Sequence, residues 1–109
     1  VVADQRGCPT FSGDLAGMIG KLLAHPAQGV LHVTNAGNCT WHEFACAIVS
    51  LMGLSVTVHP ITTAEARRAA VRPAYAVLAN RRLAEQGITL PHWMDALGRF
   101  IEEEKVVRG

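Results

Sequence analysis

The sequence has little cysteine, and what it has does not pair: Cys8, Cys39 and Cys46 form an odd set of three with no CxxC spacing. That argues against a disulfide framework and a zinc ribbon, and fits a reducing cytoplasm. Charge is also scarce. Only 17% of the 109 residues are charged and the formal net charge is +1 with histidines neutral, so no global field would drive adhesion to DNA or anionic lipid. Neither a nucleic-acid nor a membrane partner is expected. No apolar run approaches the roughly 20 residues needed to cross a bilayer, and no charged leader precedes an apolar stretch. Repeats and long linkers are missing too. Half the residues are apolar, which excludes a disordered tail and predicts one packed domain over residues 1–109. A methionine start is absent, and Val1-Val2-Ala3 already reads as a strand, so a missing upstream segment is expected.

Periodicity and turn residues place the elements. A tight loop over 4–10 precedes a helix on which Leu15, Met18, Ile19, Leu22 and Leu23 share a face, capped by Thr10 or Ser12 and stopped at His25-Pro26. A buried strand is predicted over Gly29–Thr34, followed by turn chemistry at Asn35-Ala36-Gly37-Asn38. Thr40 and Glu43 form a capping box for a helix that lines up Trp41, Phe44, Ala45, Ile48, Val49 and Met52 and ends at Gly53. Leu54–His59 reads as a third strand. Thr62 and Glu65 form a second capping box, whose short helix runs out into a loop over 67–73. Asn80 caps a brief helix through Leu83 to Gly87. Pro91 sits in the first turn of a last helix bearing Trp93, Leu97, Phe100 and Ile101, and the tail from Glu102 is solvated. The fold class is therefore mixed α/β, a small domain of about three short strands and four helices. Three short strands are few for a self-sufficient sheet and are expected to adjoin a sheet built by another segment.

Two stretches carry candidate chemistry. Asp4-Gln5-x-Gly7-x-Pro9-Thr10 concentrates a carboxylate, an amide and conformational specialists before a helix, either to contact a ligand or to satisfy its own turn. Arg67-Arg68-x-x-x-Arg72-Pro73 presents guanidinium groups suited to a diphosphate or carboxylate, or else forms a solvated basic surface; Pro73 biases Arg72 toward an extended backbone. Four weaker signals resolve the other way. Gly13-x-x-x-Gly17-x-x-Gly20 lies inside a helix, out of context for a dinucleotide fingerprint, and reads as close helix packing or chance. Cys39, His42 and Cys46 lack a fourth zinc ligand, and no third group orients a Cys-His pair for nucleophilic work. Glu102-Glu103-Glu104 reads as a wet helix end. Tyr75, the only tyrosine, has alanine four positions later where a catalytic tyrosine would want lysine, so it reads as a stacking or packing residue.

Taken together, Val1 to Thr10 with Asp14-Leu15-Ala16, then Val30-Leu31-His32-Val33, Asn35-x-Gly37, Thr40-Trp41-His42-Glu43-Phe44-Ala45, Arg72-Pro73-Ala74-Tyr75 and Leu90-Pro91-His92-Trp93, resemble in order the C-terminal part of dTDP-4-dehydrorhamnose reductases. The resemblance implies the substrate-binding part of an extended short-chain dehydrogenase/reductase fold. Its N-terminal Rossmann domain, absent here, would bind NADPH and carry the catalytic tyrosine and lysine. This chain would then hold no catalytic residue and be inactive alone. Gln5, Gly7 and Pro9 would shape the dTDP-sugar pocket with Tyr75, and Arg72 would face the phosphates. The reaction would be reduction of dTDP-4-dehydro-L-rhamnose to dTDP-L-rhamnose.

The family commonly has serine at Ala76 and aspartate at Ala79, so hydrogen bonds expected there are missing. Some members bridge subunits through Mg2+ with a glutamate corresponding to Glu103, the other ligands coming from the missing half. Apolar surface left by the missing domain is expected to promote homodimer formation. The alternative is a non-catalytic interaction module, since the same fold serves as the regulatory subunit of methionine adenosyltransferase.

Overall fold

Local capping chemistry decides where two of the helices begin. The computed structural model describes residues 1–24 and 28–108, and places five helices among them. Both predicted capping boxes form: Thr40 Oγ1 accepts from Glu43 N (3.0 Å) to open helix α2 (Trp41–Leu51), and Thr62 Oγ1 accepts from Glu65 N (3.1 Å) to open the single turn α3 (Thr63–Ala66). Gly53 (φ 66°) follows α2 in the left-handed conformation that a helix end favours. Helix α1 (Ser12–Ala24) begins where expected, but Thr10 does not cap it, because its hydroxyl donates to Cys8 O and accepts from Asn35 N. The expected stop at His25-Pro26 lies outside the described residues. Asn80 precedes α4 (Arg81–Glu85) in a left-handed conformation (φ 41°) and makes no capping bond with its side chain. Helix α5 (Trp93–Arg108) runs on through the tail read as solvated, and His92 Nδ1 accepts from Met94 N at its start.

The strands differ most from expectation. The paired residues are β1 (Arg6–Gly7), inside the predicted loop, and β2 (Cys39–Thr40), antiparallel with Arg6 opposite Thr40 and Gly7 opposite Cys39. The other edge of Arg6 pairs in parallel with Tyr75, through Arg6 N to Ala74 O and Ala76 N to Arg6 O, both 2.8 Å. Of the predicted first strand, Val2 alone bridges, in parallel to Ile61. Neither 29–34 nor 54–59 joins a ladder among the described residues. In 29–34 the backbone groups go to side chains: Arg82 donates to Gln28 O and Val30 O, while Asn80 binds both N and O of Thr34. The mixed α/β class stands, built on narrower pairing than the hydrophobic runs suggested.

Two apolar clusters hold these elements. Cys39, Trp93, Leu97 and Ile101 form one, with Phe44, Ala47 and Ile48 of α2 packed on it; Met18, Leu83 and Leu90 form the other, with Leu22, Val33 and Ile88. Periodicity overstated the burial of α1, where Ile19 and Leu23 face solvent while Met18 is buried. The accessible surface is 7532 Å², against about 5,900 Å² for a compact monomer of this mass. The radius of gyration is 16.1 Å, where about 13 Å is usual for this length. This chain thus leaves more surface open than a compact monomer would, and Leu23, Val30, Val56 and Val71 are among its exposed apolar side chains.

Candidate ligand-binding site

The backbone pairing of Val2 with Ile61 and of Arg6 with Tyr75 draws the 1–9 segment against the 61–76 segment. Between them, with the start of α2, lies a cavity of about 460 Å³ lined by Val1, Val2, Gln5, Trp41, Ile61, Arg68 and Arg72. A second hollow of about 210 Å³ is lined by Gly7, Cys8, Pro9, Cys39, Thr40, Trp41, Phe44 and Ala76. Trp41 is the residue common to both linings. It is 57% exposed, and Phe44 backs its ring edge-on at 6.3 Å. Helical spacing puts Trp41 on one face with Phe44 and Ile48, but in the first turn of α2 it is exposed while those two pack on the core.

Gln5 and Arg72 therefore share one cavity, as expected for a common ligand, while Gly7 and Pro9 line the neighbouring one. Tyr75 lines neither; it is 66% exposed and its contribution to the fold is the backbone pairing with Arg6. The arginines of 67–73, and Arg82 beyond them, sort into separate jobs. Arg82 clamps the carbonyls of Gln28 and Val30, and Arg67 takes the left-handed turn (φ 48°) that ends α3. Arg68 and Arg72 reach the cavity, and neither guanidinium has a hydrogen-bond or ion-pair partner among the described residues. Two unpaired, permanently charged forks beside one cavity favour an anion there.

The walls are set by polar contacts. Asp4 accepts from Thr63 N (3.0 Å to each oxygen) and Thr63 Oγ1 (2.6 Å), and these bonds hold its carboxyl below the ordinary value of 3.8. Gln5, 8% exposed, donates from Nε2 to Thr63 Oγ1 at 3.1 Å. Arg6 donates to Asn38 Oδ1 and to Glu43 Oε1, both 2.9 Å, tying β1 to the α2 capping box. Sequence reasoning missed Thr63 as a link between Asp4 and Gln5, because residues 59 and 58 positions apart carry no local signal.

Elsewhere, Cys39 is buried in the core, its thiol pushed up to about 11 mainly by that burial. His42 Nε2 lies 3.0 Å from Val58 O and 3.6 Å from Cys46 Sγ. No group of three His, Cys, Asp or Glu among the described residues could hold a metal, so these residues assemble no Mg2+ site around Glu103 by themselves. Gly17 and Gly20 lie inside α1, where backbone amides are spent on the helix, so they do not fit the phosphates of NADPH. Nor do they serve close packing, since a Cβ at either would meet nothing within 4 Å. No helix among the described residues is long and apolar enough to cross a membrane.

Comparison with known proteins gives a consistent result. A family model described as the RmlD substrate binding domain matches residues 1–106. The spore coat polysaccharide biosynthesis protein SpsK of Bacillus subtilis is 45% identical over 103 residues, covering 94% of this chain and 36% of the relative. The dTDP-4-dehydrorhamnose reductase of Streptomyces griseus is 40% identical over 104 residues, covering 89% of this chain and 34% of the relative. The crystal structure of dTDP-4-dehydrorhamnose reductase from Bacillus anthracis in complex with NADP superposes with a TM-score of 0.91 at 42% identity, covering 94% of this chain and 37% of that one. The chain spans about a third of the length of the curated relatives it matches.

Proposed function

Because the chain belongs to the family of RmlD substrate-binding domains, we propose that its cavity holds the diphosphate-linked sugar of a dTDP-4-keto-sugar, as one part of a dTDP-4-dehydrorhamnose reductase. The observation that carries this reading is the meeting of Gln5, Arg68, Arg72 and Trp41 around one space, with both guanidinium groups unpaired. Arg68 and Arg72 bind the diphosphate, and Trp41 supplies an apolar wall for a sugar or base ring. Gly7 and Pro9 extend the same surface past Trp41, and Tyr75 flanks it. These residues orient the substrate; none of them transfers hydride or proton.

In the complete reductase, NADPH bound by a Rossmann domain upstream of this segment supplies hydride to the C4 ketone of dTDP-4-dehydro-L-rhamnose, and the ketone oxygen takes a proton, giving dTDP-L-rhamnose and NADP+. Support for NADPH comes from the NADP complex of the Bacillus anthracis reductase. The isolated 109 residues are proposed to be inactive. Three free cysteines agree with a cytoplasmic setting. The open apolar surface suits packing against the remainder of the reductase, and in its absence favours pairing of two copies.

Calorimetric titration of the complete protein with dTDP tests the reading. Arg68→Ala and Arg72→Ala should each weaken binding by about ten- to a hundredfold, the range for one lost charge-assisted contact. Wild-type affinity in both variants would refute it. A second reading, a non-catalytic interaction module, is favoured by Ala76, which lines the smaller hollow without a hydroxyl. NADPH oxidation by the complete protein on addition of dTDP-4-dehydro-L-rhamnose excludes that module; no oxidation supports it.

A further inference from the structure

The Asp4, Thr63 and Gln5 side chains form a directed chain of hydrogen bonds whose sense is set by proton count. A carboxylate only accepts, and Asp4 takes both donors of Thr63, the backbone N–H at 3.0 Å and the hydroxyl at 2.6 Å. A hydroxyl owns one hydrogen. With that hydrogen on Asp4, Thr63 Oγ1 only accepts, so the Gln5 atom facing it at 3.1 Å is the amide nitrogen. The orientation of the Gln5 amide thus follows from donor and acceptor bookkeeping. Its carbonyl oxygen is turned from Thr63 and accepts from no donor among the described residues, although Gln5 is 8% exposed and lines the cavity with Arg68 and Arg72.

We infer that Thr63 is a positioning residue: it fixes Gln5 so that an acceptor stands in a cavity otherwise furnished with guanidinium donors, selecting ligands that carry an O–H or N–H donor beside their phosphates over bare diphosphate. The inference rests on the reading of the cavity as a sugar-nucleotide site and adds to it what discriminates among anions. Cations alone bind any diphosphate. A fixed acceptor repels a bare phosphate oxygen and accepts from a sugar hydroxyl or a base N–H. A freely turning amide must be ordered anew each time it accepts from a sugar or base, and can turn its N–H to a bare phosphate instead, so it would discriminate less.

The test titrates the complete protein, and its Thr63→Val, Thr63→Ser and Gln5→Met variants, with dTDP-L-rhamnose and separately with inorganic pyrophosphate. Thr63→Val should lose about tenfold in affinity for dTDP-L-rhamnose while pyrophosphate binding holds or tightens; Thr63→Ser should restore both to wild type. Equal losses for both probes, no loss for either, or no rescue by serine would overturn the inference. Should Thr63→Val fail to fold, Gln5→Met decides by the same two titrations, since it keeps the side-chain length and removes the acceptor. Wild-type protein that binds pyrophosphate but prefers it to dTDP-L-rhamnose overturns this inference alone; wild-type protein that binds neither probe overturns the underlying site reading as well.

Discussion

Asn35 is the side chain on which three separate parts of the chain depend, and removing it offers the sharpest stability test. The residue is fully buried. Its Oδ1 accepts from Phe11 N at 2.7 Å, and its Nδ2 donates to Asp14 Oδ2 at 2.8 Å and to Pro91 O at 3.1 Å. In Asn35→Ala the partners suffer unequally. Asp14 keeps its bidentate Arg99 contacts and Pro91 O keeps Ala36 N, whereas Phe11 N–H is left with no acceptor. One orphaned amide costs about 1–3 kcal/mol and each of the other two lost bonds about 0.5–1.5 kcal/mol, so a loss of about 3–4 kcal/mol is expected. At 4–8 °C per kcal/mol that is a fall in Tm on the order of 20 °C. Urea denaturation followed by the fluorescence of Trp41 and Trp93 would measure it. Asn35→Asp should be no milder at neutral pH, because it restores the acceptor for Phe11 but sets a second carboxylate against Asp14. An Asn35→Ala variant within about 1 kcal/mol of wild type would refute the reasoning, since that is no more than an ordinary surface change.

Helix α1 yields a pair of substitutions of opposite sign. A Cβ at Gly13 would sit 2.9 Å from the Phe11 ring, so Gly13→Ala should destabilise by about 1 kcal/mol or more, whereas Gly20→Ala meets nothing within 4 Å and should stabilise by up to about 1 kcal/mol; melting curves decide both. Acid should weaken the fold in a defined window. Asp4, hydrogen-bonded to Thr63, and Asp14, bonded chiefly to Arg99, both titrate below 3.8, so their stabilisation is complete above that pH and is lost as pH falls through their lower folded values. Asp4→Asn and Asp14→Asn should each flatten the acid limb of an unfolding curve, and an unchanged limb would count against these contacts. Thiol labelling at pH 8 should modify exposed Cys46 readily and spare Cys39, whose thiol is buried and pushed up to about 11, until the protein is denatured. Rapid labelling of Cys39 in the folded state would show that the α2–α5 core is looser than described.

What could be read from the sequence was local. The two Thr-x-x-Glu boxes and the glycine after α2 announce themselves within four residues, because capping bonds and left-handed turns close over that distance. Helical periodicity located α1 and α2 but could not tell whether a neighbour covers their apolar faces, which is why Ile19, Leu23 and Trp41 are found exposed. The apolar run at 29–34 resembles a strand, yet its backbone partners are the side chains of Asn80 and Arg82, some fifty residues on, and no periodicity encodes them. Asn35 looked like turn chemistry for the same reason. The candidate site divides along this line as well. Residue types marked the loop of Gln5 and the arginines of 67–73, and resemblance to a family singled out Gln5 and Arg72; that Arg68 belongs with Arg72, while Arg67 and Arg82 do not, depends on a left-handed turn and a carbonyl clamp visible only in three dimensions.

The central claim is that the 1–9 and 61–76 segments close on a sugar nucleotide through Gln5, Arg68 and Arg72. A crystal structure of the complete protein with dTDP-L-rhamnose tests it most directly. The account predicts diphosphate oxygens at about 2.8 Å from the Arg68 and Arg72 guanidinium groups, with the Gln5 carbonyl oxygen accepting from the ligand and Trp41 against one of its rings. A diphosphate bound elsewhere, with both arginines still turned to solvent, would contradict it.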